Sequence, residues 1–137
     1  DRRFADENLI NKDKPPAYVL LSQRLKQLTQ PDDIIITNLD TWGSWYGQRR
    51  TVWLPLQPDQ LIPKPGGQIV DAIFLTSYKI DDPSYSLGNQ WRQLLVEPNN
   101  PENEFISTNF RLVATFEIGP QENYNRQTVR AVLFEKI

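Results

Sequence analysis

Apolar positions recur along this chain with two different periods. After a charged and weakly patterned stretch, Asp1 to Lys14, the pair Pro15 and Pro16 opens a helix. Proline suits that place because its missing N–H would have no intrahelical partner there. Ala17, Leu21, Leu25 and Leu28 fall on one helical face, Gln23, Arg24, Lys26 and Gln27 face outward, and Pro31 ends the pattern. A second helix is predicted over Asn89 to Val96, with Trp91, Leu94 and Leu95 inward and Pro98 as its stop.

Three short apolar runs predict strands. Ile34 to Thr37 is a β-branched run between turn signals, Thr51 to Leu54 is ended by Pro55, and Val70 to Thr76 follows. Continuous apolar runs are the mark of parallel strands covered on both faces. Phe110 to Ile118 alternates instead: Phe110, Leu112, Ala114, Phe116 and Ile118 on one face, Arg111, Thr115 and Glu117 on the other. Period two is a strand with one covered face. Val129 to Ile137 is its expected partner across the polar stretch Gly119 to Gln127, making an antiparallel hairpin. The remaining segments read as connections: Asn38 to Gly47 as a short helix, Leu56 to Gln68 and Tyr78 to Ser86 as surface loops, and Asn99 to Asn109 as a polar, mobile stretch. The predicted fold class is α/β: a small three-layer sandwich of three parallel strands with helices, finished by a C-terminal antiparallel hairpin. Residues 1–14 are expected to be a linker or frayed end and residues 15–137 a single domain.

Composition narrows the chemistry. At 137 residues one hydrophobic core is affordable without staples. The chain starts at Asp1 and contains no Met, so a segment of a longer polypeptide is expected. It has no Cys and no His. That excludes a disulfide framework, the usual zinc ligand sets, and nucleophile systems that move a proton through imidazole. Net charge is −2 with signs intermixed, so no basic stripe points to nucleic acid. No apolar run approaches the roughly 18 residues of a membrane span.

The candidate constellations are few. Asp32-Asp33 and Asp81-Asp82 could supply acid–base or metal chemistry, but both lie beside prolines where Asp serves turns. Gly66-Gly67 fits no phosphate-cradling pattern. The richest segment is Trp42 to Arg50. On a helix Trp42, Trp45 and Tyr46 share a face, which packs the helix onto the sheet or forms an aromatic platform beside guanidinium groups. The candidate interaction surface is Trp45, Tyr46, Arg49 and Arg50. Of the adjacent arginines, one is expected to satisfy local acceptors while the other stays free, and Arg49 is taken as the exposed, functional one. No catalytic, cofactor-binding or metal-ligating residue is assigned.

Asp33 to Thr37 (DIIIT), Trp45 to Pro55 (WYGQRRTVWLP) and Val70 to Leu75 (VDAIFL) together resemble the C-terminal soluble tail of bacterial polytopic membrane glycosyltransferases of the C superfamily. These are relatives of the dolichyl-phosphate-mannose protein mannosyltransferases and of the lipid A aminoarabinose transferase. The resemblance spans roughly Ala17 to Tyr78. It implies a parent enzyme that transfers a sugar from a lipid-phosphate carrier outside the cytoplasm, with catalytic carboxylates in a loop between membrane helices near its N-terminus. That region has no counterpart here, so no catalytic residue carries over. The implied role is an accessory domain on the extracytoplasmic, periplasmic face, partnered by the membrane-embedded part of the same polypeptide, with the acceptor or lipid-linked sugar as a further candidate and no cofactor. Two other readings stand beside it: a free-standing α/β module that binds a small ligand or a protein, and a soluble enzyme whose carboxylates act without His.

Overall fold

The computed structural model describes residues 14–39, 47–55, 58, 70–78 and 88–137. Its elements, in chain order, are α1 (Ala17–Leu28), β1 (Ile34–Thr37), β2 (Arg50–Trp53), β3 (Ala72–Thr76), α2 (Asn89–Val96), α3 (Glu104–Asn109), β4 (Phe110–Ile118) and β5 (Val129–Lys136). The strands form one mixed sheet in the order β2-β1-β3-β5-β4. β1 pairs in parallel with both β2 and β3, while β5 is antiparallel to both β3 and β4. The α/β class, the parallel trio and the closing hairpin are those the sequence predicts.

Alternation along the strands sorts the core into two layers. Ile35, Ala72, Phe74, Ala131 and Leu133 pack on one face against Ala17, Leu21 and Leu25 of α1. Ile36, Ile73, Leu75, Val132 and Phe134 pack on the other face against Trp91, Leu94 and Leu95 of α2 and Ile106 of α3. β3 is buried along its whole length, as an inner strand covered on both faces must be. β2 departs from the apolar-run expectation. It lies at the edge of the sheet, with Val52 46% and Trp53 39% exposed.

Two further expectations are corrected. Residues 99–109 are not wholly irregular: Asn103 Oδ1 accepts the backbone N–H of Ile106 at 3.0 Å and caps α3, which buries Ile106 completely. β4 does not keep its apolar residues on one face. A register shift between Leu112 and Ala114 makes Val113 an extra residue: Leu112 faces Phe134 and Ala114 faces the adjacent Leu133. Phe110 and Leu112 therefore join the α2–α3 layer, whereas Ala114, Phe116 and Ile118 join the α1 layer. A bulge of one residue re-aims every side chain beyond it.

The hairpin loop is also built into the fold. Asn123, wholly buried, donates to the carbonyls of Gly119 at 2.9 Å and Gln127 at 2.8 Å. The next residues reach the start of α1. Tyr124 N–H donates to Pro15 O at 2.8 Å, and Asn125 Oδ1 accepts from Ala17 N at 2.9 Å. Pro16 occupies the N-cap position without a side chain able to cap, so Asn125 fills that role from 108 residues away.

Candidate functional site

Of the candidate surface, Trp45 and Tyr46 lie outside the described residues, as does Trp42. The segment that follows them is described, and its backbone dictates where the two arginines go. Gly47 presses against α1: a Cβ there would stand 3.1 Å from the carbonyl oxygen of Ser22. Gln48 then turns the chain with a left-handed φ of 52°. Arg49 is thereby aimed at the C-terminus of α1 and is only 8% exposed. Its guanidinium donates to the carbonyls of Lys26, Thr29 and Gln48 and to the Thr29 hydroxyl, all at 2.9–3.0 Å. A cation that satisfies the last carbonyls of a helix also complements the negative end of its dipole. The expectation that Arg49 is exposed is thus overturned: it is the arginine that satisfies local acceptors. Arg50 opens β2 and is exposed.

At the carboxyl edge of the sheet, where open α/β folds commonly bind ligands, the ends of β1 and β3 are bridged by their own polar groups. Asn38, just past β1, donates from Nδ2 to the Thr76 carbonyl at 2.7 Å and accepts at Oδ1 from Thr76 N at 3.0 Å. Its carboxamide thus continues the β1–β3 ladder in place of a peptide group. The Thr76 hydroxyl donates to the same Oδ1 at 3.2 Å and accepts from Tyr78 N, while Thr37 Oγ1 accepts from Leu39 N. Asn38, Thr37 and Thr76 are all buried. Among the described residues no buried side-chain polar atom is left without a hydrogen-bond partner.

The other constellations fall as follows. Asp33 accepts the backbone N–H of Gln30 at 2.9 Å, which is turn chemistry. Asp81, Asp82, Gly66 and Gly67 lie outside the described residues. Among the described residues no three carboxylates gather where a metal ion could sit.

A feature that sequence reasoning missed lies between α2 and α3. A cleft of about 670 Å³ is lined by the carboxamides of Asn89, Gln90, Gln93, Asn103 and Asn109 together with the ring of Phe105. Glu102, Glu104 and Thr108 complete the described lining. Four of the five amides are held by hydrogen bonds. Gln93 donates to Asn100 O and accepts from Glu102 N, Asn103 Nδ2 donates to Gln90 Oε1, and Asn109 Nδ2 donates to Phe105 O. Phe105 meets Phe110 edge to face, with centroids 6.2 Å apart. The clue in the sequence was the density of Asn and Gln over residues 89–109. It reads as a loop until the Asn103 cap and buried Ile106 reveal a second wall.

Among the described residues no helix is long and apolar enough to cross a membrane. A scan of protein-family models, a search of curated proteins and a search of solved structures each found nothing that matches this chain.

Proposed function

We propose that this chain is an accessory extracytoplasmic domain of a membrane glycosyltransferase that uses a lipid-phosphate-linked sugar donor, and that it is non-catalytic by itself. The observation that carries the reading is a coincidence of place. The three segments with the family resemblance contribute β1, β2 and β3, and the outermost of these, β2, presents Arg50 and Val52 to solvent. A cation and an apolar side chain on a strand at the sheet edge suit contact with the rest of a larger polypeptide or with an anionic lipid-linked substrate. Arg49 serves the fold instead, so the functional half of the aromatic–arginine segment passes to Arg50.

The test begins with the gene that encodes this chain. Several hydrophobic helices encoded upstream of Asp1 support the reading, and a gene without them overturns it. In the full-length polypeptide, Arg50→Glu should lower sugar transfer several-fold without changing the thermal midpoint. The isolated chain should not turn over a polyprenyl-phosphate sugar above a heat-inactivated control. A free-standing binding module is the second reading, favoured by the amide-lined cleft between α2 and α3.

A further inference from the structure

We propose that the cleft between α2 and α3 binds a neutral polyhydroxylated ligand, a short oligosaccharide. The inference rests on this cleft alone and holds whether or not the chain belongs to a membrane enzyme.

Size comes first. About 670 Å³ lies within the range of small-molecule sites, about 300–1,000 Å³. The chemistry of the lining narrows the ligand. Each vicinal hydroxyl of a sugar both donates and accepts, and a carboxamide offers two donors and an acceptor within one rigid plane. Five carboxamides line this one cleft. One bond between Asn103 and Gln90, and bonds from Gln93 and Asn109 to backbone groups, orient four of the five without exhausting them. Gln90 spends its oxygen on Asn103 and has both N–H donors uncommitted among the described residues, and Asn109 spends one N–H on Phe105 O and retains its oxygen. Donors and acceptors held in advance lower the ordering cost of binding. Phe105 adds an apolar ring for the C–H face of a sugar, and its contact with Phe110 sets its tilt.

Charge excludes the main competitor. No lysine or arginine is among the described lining residues, whereas Glu102 and Glu104 are. Among the described residues a phosphate or sulfate would meet two carboxylates and no cation, but a neutral sugar can donate hydroxyl hydrogens to both. The walls are also anchored: Trp91, Leu94 and Leu95 fasten α2 to the sheet and Ile106 fastens α3. The amides therefore stand on buried supports.

The test titrates the ¹⁵N-labelled chain with maltotetraose, cellotetraose and chitotetraose, up to about 10 mM, the weak end of specific affinities. Inorganic phosphate is titrated in parallel. The side-chain amide signals of Asn89, Gln90 and Gln93 should shift saturably with at least one of the sugars and not with phosphate. Asn89 and Thr108 are exposed, so the variant carrying Asn89→Ala and Thr108→Val should keep the wild-type thermal midpoint while binding about tenfold more weakly, a change of about 1.4 kcal/mol. The proposal is overturned if none of the sugars produces saturable shifts, if phosphate shifts the same amides more strongly, or if the double variant binds as the wild type does.

Discussion

The guanidinium of Arg49 reaches back twenty residues to Thr29, donating from Nε to the hydroxyl and from Nη2 to the carbonyl, each at 3.0 Å. The Thr29 hydroxyl passes the chain on by donating to Leu25 O at 2.6 Å, so one cation and one hydroxyl finish the last turn of α1. Arg130 plays the corresponding part for α2, donating from Nε to Leu95 O at 2.8 Å.

Arg49→Ala should therefore cost about 2–3 kcal/mol, because a charged donor is lost and half-buried carbonyls are left without a partner. Arg50→Ala, at an exposed edge position, should cost about 0.5 kcal/mol or less. Urea unfolding of the two variants measures the contrast. Equal midpoints would mean that the Arg49 clasp contributes nothing to stability.

Asn38→Ala should cost about 3 kcal/mol, since it strands both the N–H and the carbonyl of buried Thr76. Hydrogen exchange gives a local readout. The Thr76 amide should exchange much faster in the variant, beyond the change shared by the other amides of β3. Uniform acceleration across the sheet would show that the Asn38 carboxamide does not act as a local rung.

Deleting Val113 removes the bulged residue and moves Phe110 and Leu112 to the wrong face of the sheet. That deletion should abolish cooperative unfolding, given a total stability of about 5–15 kcal/mol for a domain. Val113→Thr keeps the residue count and should stay within about 0.5 kcal/mol of wild type. Near-ultraviolet circular dichroism and thermal melting compare the two. A well-folded deletion variant would show that the edge strand tolerates either register.

Asn125→Ala removes the remote cap of α1 and should cost about 1 kcal/mol, the usual value of an N-cap. The Ala17 amide should lose exchange protection while the Leu25 amide keeps it. Unchanged protection at Ala17 would mean that water or another group replaces the cap fully.

What could be read from the sequence divides along the same physical line as the periods. α1 and α2 were legible because Leu21, Leu25, Trp91 and Leu94 repeat with a helical spacing that only a covered face explains. α3 was not, because six residues are too few to show a period, and its one signal was Asn103 followed by Glu104 in the first turn. The bulge was invisible because Phe110, Leu112 and Ala114 alternate as a regular strand does. Only the cross-strand register reveals that Val113 has no opposite number. Arg49 misled because two adjacent arginines look alike until the turn at Gln48 aims one of them at a helix end. The amide cleft needed two helices to be brought together, and sequence order alone does not do that.

The sheet order has a consequence for how the chain acquires its structure during synthesis. β5 leaves the ribosome after the other four described strands, yet takes an inner position between β3 and β4. Until Val129–Lys136 is delivered, both neighbours present unpaired edges, and the loop that caps α1 has no fixed base. The parallel trio can gather early, but the sheet cannot close from the N-terminus onward. Its cooperative step waits for contacts more than a hundred residues apart, such as Asn125 with Ala17. Topologies of this kind fold slowly and expose strand edges while they wait. A ribosome stalled before Val129 would therefore hold a chain that is sticky rather than native.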